Sequence, residues 1–123
     1  NINKILNGDS PMIWKGSEAS TREFLYIEDA VDAYLSLVKN IEKTKGEAFN
    51  IGSNEVITIG ELLNFMLSEM DSNLKINFVE KDFPEISHQY LDSSKMTNLT
   101  GWKPKTNLKS GLQKSIKKYK EIL

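Results

Sequence analysis

One arginine, Arg22, stands among the sixteen basic residues of this sequence. A guanidinium presents parallel N–H donors in a rigid plane and can grip two oxygens of a phosphate at once, which an ammonium cannot do. The plainer alternative is an arginine on a strand edge facing solvent. Asn50 lies inside the apolar run Phe49-Asn50-Ile51. An amide buried there needs partners, because an unpaired buried polar group costs roughly 1 to 3 kcal/mol. Those partners are either a bound ligand or nearby backbone. His88 is the only histidine, and there is no cysteine. Disulfide, thiolate and cysteine–metal chemistry are therefore excluded. Asp29 and Asp92 read as helix-start residues, and neither has a carboxylate partner spaced for acid–base work or metal binding. No metal site is expected.

These residues sit in a chain of single-domain size, 123 residues with 39% hydrophobic content, enough for a core. No repeat or Pro/Gly-rich linker divides it, so one domain over 1–123 is expected. No apolar run approaches a membrane span and the first residues form no signal core, which points to a cytoplasmic protein with no membrane partner. The first residue is not methionine, and the chain is expected to be a piece of a longer one. The net charge of −1 hides an asymmetry: residues 103–123 carry seven lysines against one acid, the rest nine basic against sixteen acidic residues. No aromatic stacking platform interleaves those lysines, so a solvated helix face is expected rather than a nucleic-acid surface.

Arg22 to Ile27 alternates as a short strand, and Val31, Tyr34, Leu35 and Val38 follow at helical spacing, with Asp29 near the positive helix start. Residues 47–52 read as a short buried strand closed by a turn at Gly52-Ser53-Asn54. Thr58-Ile59-Gly60-Glu61 has the spacing of a capping box, and Ile59, Leu62, Leu63, Met66 and Met70 share one face of the helix it opens. Lys75 to Glu80 alternates as a half-exposed strand. Asp92 then caps a short helix with Met96 and Leu99 inward, ended by a left-handed Gly101. Trp102 is expected in the core. Leu108, Leu112, Ile116 and Tyr119 mark a last amphipathic helix. The result is a mixed α/β (α+β) chain.

Taken in order, the segments 21–30 (TREFLYIEDA), 46–53 (GEAFNIGS) and 99–104 (LTGWKP) resemble the extended short-chain dehydrogenase/reductase family. Order and spacing match over nearly the whole chain, and segment 85–92 (EISHQYLD) is most similar to CDP-glucose 4,6-dehydratase-like and epimerase-like members. The resemblance implies the C-terminal, substrate-binding portion of an NAD- or NADP-dependent nucleotide-sugar epimerase or 4,6-dehydratase. Such an enzyme oxidises the sugar transiently at C4 and is expected to be a homodimer, with a Rossmann domain outside this sequence. Gly46 and Gly52 are six apart with no third glycine at the spacing a dinucleotide fingerprint needs. The family's Tyr-x-x-x-Lys is also missing: Tyr26, Tyr34, Tyr90 and Tyr119 are followed at that distance by Ala30, Val38, Ser94 and Leu123. This chain alone is therefore expected to bind no cofactor and to catalyse nothing.

On the same resemblance, Arg22 takes the position that grips the substrate diphosphate, and Asn50 lies near the nucleotide. Where related epimerases carry Arg-Arg-Pro-Gly-Asp, this chain has Lys81-Asp82-Phe83-Pro84-Glu85, which leaves the base open. Glu85, His88 and Tyr90 are the polar candidates there for ribose hydroxyls or a base edge. The competing reading is a free-standing interaction or nucleic-acid module using the lysine-rich tail.

Overall fold

In a computed structural model, which describes residues 1–122, the chain runs α1 (Ile2–Leu6), β1 (Met12–Trp14), β2 (Thr21–Glu23), α2 (Ile27–Lys39), α3 (Ile41–Thr44), β3 (Val56–Thr58), α4 (Ile59–Glu69), β4 (Asn77–Val79), α5 (Ser94–Thr100) and α6 (Leu108–Ile122). Leu123 lies outside the described residues. β1 pairs in parallel with β4, Met12 opposite Asn77 and Trp14 opposite Val79, and β2 pairs with β3. The chain divides into two compact units, each drawn from separate stretches. The first comprises Asn1–Arg22, Ile57–Gln89 and the residues from Leu112 onward; the second comprises Glu23–Val56 and Tyr90–Gly111.

The first unit is organised by α4. The Thr58 hydroxyl accepts the Glu61 N–H at 3.1 Å while the Glu61 carboxylate accepts the Thr58 N–H at 3.1 Å, the expected capping box. Leu62, Leu63 and Leu67 of this helix are buried, as are Ile5, Ile13, Leu112 and Ile116 of the same unit. Leu67 was not foreseen, and Tyr119, expected inward, is exposed. The Lys75–Glu80 strand narrows to the three residues of β4. Gly60 allows the first turn of α4 to lie against the chain: an added Cβ would sit 3.0 Å from the Glu18 carbonyl, which accepts the Gly60 N–H.

The second unit packs around Ala33, Met96 and Trp102, with Leu25, Leu37, Phe49 and Ile51 against them. Trp102 is in the core as expected, and Gly101 ends α5 at φ 74°. Four carboxylates here receive backbone N–H groups: Asp29 from Thr106, Glu55 from Leu108, Asp92 from Ser94, and Glu23 from both Asn54 and Leu91. Gly52 leaves room for Glu23, whose carboxylate would meet an added Cβ at 2.5 Å.

Four expectations change. Residues 47–52 form no strand: among the described residues none pairs with them as a ladder, and the Gly52 N–H is taken by the Ser93 hydroxyl at 2.8 Å instead. The extended run from Arg22 ends at Glu23, because Ile27 already begins α2. Ser93, not Asp92, is the N-cap of α5, and Leu99 is only half-buried. A further difference lies in α2. Ile27, Val31, Tyr34, Leu35 and Val38 are 52–68% exposed, while Asp29 and Ala33 are buried. The apolar stripe faces outward. Among the described residues no helix is long and apolar enough to cross a membrane.

Candidate functional site

The first unit brings cations from two separate stretches of chain onto one carboxylate. Gly16, at φ 83°, turns the chain after β1, and the Ser17 N–H closes that turn on the Trp14 carbonyl at 2.9 Å. Ser17 is thereby fixed and buried, 2% exposed. The Lys15 N–H donates to the Val79 carbonyl at 2.9 Å, prolonging the β1–β4 pairing, so that Lys81 emerges beside the Ser17 turn. Its ammonium donates to the Ser17 hydroxyl at 2.8 Å and to Glu85 Oε2 at 2.5 Å.

β2 supplies the second cation. Thr21 bridges in parallel to His88: the Thr21 N–H donates to the Ser87 carbonyl at 2.8 Å, and the Gln89 N–H to the Thr21 carbonyl at 3.2 Å. This pairing lays segment 87–89 along β2 and carries Glu85 to Arg22. One guanidinium nitrogen of Arg22 donates to the Thr21 carbonyl at 2.8 Å and the other to Glu85 Oε1 at 3.1 Å. The Ser17 hydroxyl donates to Glu85 Oε2. All three charged side chains are about four-fifths buried, with relative exposures of 15–21%. The Lys81 ammonium first, and the Ser17 hydroxyl second, hold the Glu85 carboxyl below the usual carboxylate range against the opposing effect of burial.

Of the residues singled out from sequence, Arg22, Glu85 and His88 thus share the first unit, and Arg22 and Glu85 touch. His88 serves the pairing: its Nδ1 lies 2.9 Å from the Thr21 hydroxyl. Asn50 and Tyr90 belong to the second unit. Asn50 is exposed rather than buried, its amide donating to the Asp92 carbonyl at 3.4 Å, and Tyr90 is 68% exposed. Ser17 and Lys81 were not singled out. In the sequence Lys81 is only a departure from a motif, and the one local sign of Ser17 is the glycine before it. Nor were Trp14 and Phe83, whose rings meet edge to face with centroids 5.6 Å apart beside the Lys81 ammonium, 5.8 Å from the Phe83 ring. Among the described residues no group of three His, Cys, Asp or Glu side chains could hold a metal ion.

Short strands alternating with helices, and a parallel pair among them, give a mixed α/β fold. The chain belongs to the GDP-mannose 4,6 dehydratase family, whose model matches residues 1–115. It is 32% identical over 114 residues to CDP-paratose 2-epimerase of Salmonella typhi, covering 90% of this chain and 34% of that protein. It is 34% identical over 112 residues to dTDP-D-glucose 4,6-dehydratase of Homo sapiens, covering 86% and 31%. Its fold matches UDP-glucuronic acid 4-epimerase from Bacillus cereus, solved in complex with UDP-glucuronic acid and NAD, with a TM-score of 0.89 at 24% identity over 99% of this chain and 38% of that one. The chain therefore spans about a third of the length of these relatives.

Proposed function

We propose that this chain is the nucleotide-sugar-binding part of an NAD- or NADP-dependent epimerase or 4,6-dehydratase, and that Arg22 and Lys81 hold the substrate's diphosphate. The observation that carries this reading is the convergence of a guanidinium and an ammonium on one anionic group, within 3.1 Å and 2.5 Å of its two oxygens. A diphosphate presents the same pair of acceptor oxygens with more charge. Trp14 and Phe83, 36% and 47% exposed, offer the base ring surface beside Lys81. Asn50, His88 and Tyr90 remain candidates for the nucleoside end.

The residues present do not fit the nicotinamide cofactor. A dinucleotide pyrophosphate is met by free N–H groups at a helix start behind a glycine-rich turn. α4 opens on its own capping box, with Thr58 and Glu61 already engaging those groups, and α2 opens directly after Tyr26 with no glycine before it. Oxidation of the sugar is therefore assigned to a Rossmann domain of the longer protein, and no step of it to residues of this chain. What this chain supplies is binding: affinity for the distant diphosphate holds the sugar where it can react. The outward apolar stripe of α2 is the surface we assign to docking of that Rossmann domain, since a run of five exposed apolar side chains on one helix is unusual for a face left in water.

Calorimetry separates the two ligands. The chain is expected to bind UDP or dTDP measurably and NAD much more weakly. Low-micromolar affinity for NAD, or none for any nucleoside diphosphate, would overturn the reading.

A further inference from the structure

The anion position between Arg22 and Lys81 is already filled by the chain itself. Glu85 gives Oε1 to Arg22 and Oε2 to Lys81 and the Ser17 hydroxyl, so donors from three stretches of chain converge on its two oxygens. The donors and the acceptor are held very differently. Arg22 is on β2, with one prong of its fork fixed on the Thr21 carbonyl; Ser17 is buried in a closed turn; Lys81 lies two residues beyond Val79, the last residue of the β1–β4 pair. Glu85 lies in no helix or strand, and the residues on either side of it, Pro84 and Ile86, are exposed. Its carboxylate is held by the same side-chain contacts that an incoming anion would compete for.

Resting on the diphosphate reading, we infer that Glu85 is a built-in competitor for the substrate: its carboxylate closes the anion position in the free protein and must swing out before a diphosphate enters. The arrangement keeps two cations from standing unpaired in a site about four-fifths buried, where an uncompensated charge is unfavourable. It also sets a threshold. An anion offering fewer oxygens or less charge than a diphosphate gains less than it displaces, so the latch discriminates against monophosphates and other small anions. Apparent affinity is reduced by the fraction of molecules in which Glu85 is closed.

The test is titration of inorganic pyrophosphate into the whole chain and its Glu85→Gln, Glu85→Ala and Arg22→Lys variants by calorimetry, with thermal melts to establish that each is folded. Glu85→Ala stands in for Glu85→Gln should the latter disturb the loop. Removing the charge at position 85 is expected to tighten pyrophosphate binding about tenfold, the gain from opening a site that is closed in roughly nine molecules of ten. Arg22→Lys is expected to weaken it. Equal affinity in wild type and both Glu85 variants, with Arg22→Lys still weaker, would overturn the latch and leave the diphosphate site standing. Weaker binding by the Glu85 variants would also overturn it, making Glu85 a residue that orients Arg22. No pyrophosphate binding by any of the four proteins would overturn the diphosphate site and the latch together.

Discussion

The two units use the same residue types for opposite purposes. In the second, carboxylates hold backbone: Asp29, Glu23, Glu55 and Asp92 accept main-chain N–H groups, while the apolar stripe of α2 faces outward. In the first, the apolar face of α4 is buried, and the Glu85 carboxylate is engaged by the side chains of Arg22, Lys81 and Ser17. A carboxylate that accepts a backbone N–H ties down the path of the chain and is architectural. Lysine and arginine can exchange one anion for another. Under the function proposed above, the first unit would face a ligand and the second a protein surface.

The largest expected effects come from the two helices. Leu63→Ala in α4 empties a fully buried site, 2% exposed, and should destabilise by about 2 to 5 kcal/mol in a denaturant titration. The double change Val31→Glu and Leu35→Glu on α2, at positions each 52% exposed, should leave stability within about 0.5 kcal/mol. It should abolish the concentration-dependent self-association and hydrophobic-dye binding expected of the bare stripe. If sedimentation shows the unmodified chain to be an ideal monomer at high concentration, the stripe is not a docking surface.

A smaller effect should distinguish Glu85 through pH. Lys81 above all, and Ser17 after it, lower the pKa of its carboxyl in the folded protein, so its contribution to stability is complete above the ordinary glutamate value and disappears as pH falls through the depressed one. Wild type and Glu85→Gln should therefore differ in stability near neutrality and converge in acid. Asp32, Glu47, Glu61 and Asp92 also have lowered pKa values, but they are common to both proteins and cancel in the difference. Denaturation curves that stay parallel down to acid pH would mean that the cations add nothing to Glu85 in solution.

Part of the fold is legible in the sequence alone. The capping box at Thr58, the left-handed stop at Gly101 and the burial of Trp102 each depend on a few adjacent residues, and all three stand. What escaped was non-local. Residues 47–52 have the composition of a strand, but a strand exists only where another lies beside it, and none does among the described residues. The α2 periodicity identified a helix but could not tell which way its apolar side faces. For the site, Arg22 stood out by its type, whereas Ser17 and Lys81 join it only through the β1–β4 pairing and the Thr21–His88 bridge, contacts between residues more than sixty positions apart.

Arg22 is the sole arginine of the chain, so its side-chain Nε–Hε signal in a ¹H–¹⁵N spectrum belongs to one residue. Titrating UDP into labelled protein should move that signal saturably, and the sugar alone should not. Arg22→Lys should weaken UDP binding roughly tenfold, because the charge remains while the planar fork is lost. An Arg22 signal that stays fixed while UDP saturates shifts elsewhere in the chain would contradict the central claim that this guanidinium holds the diphosphate.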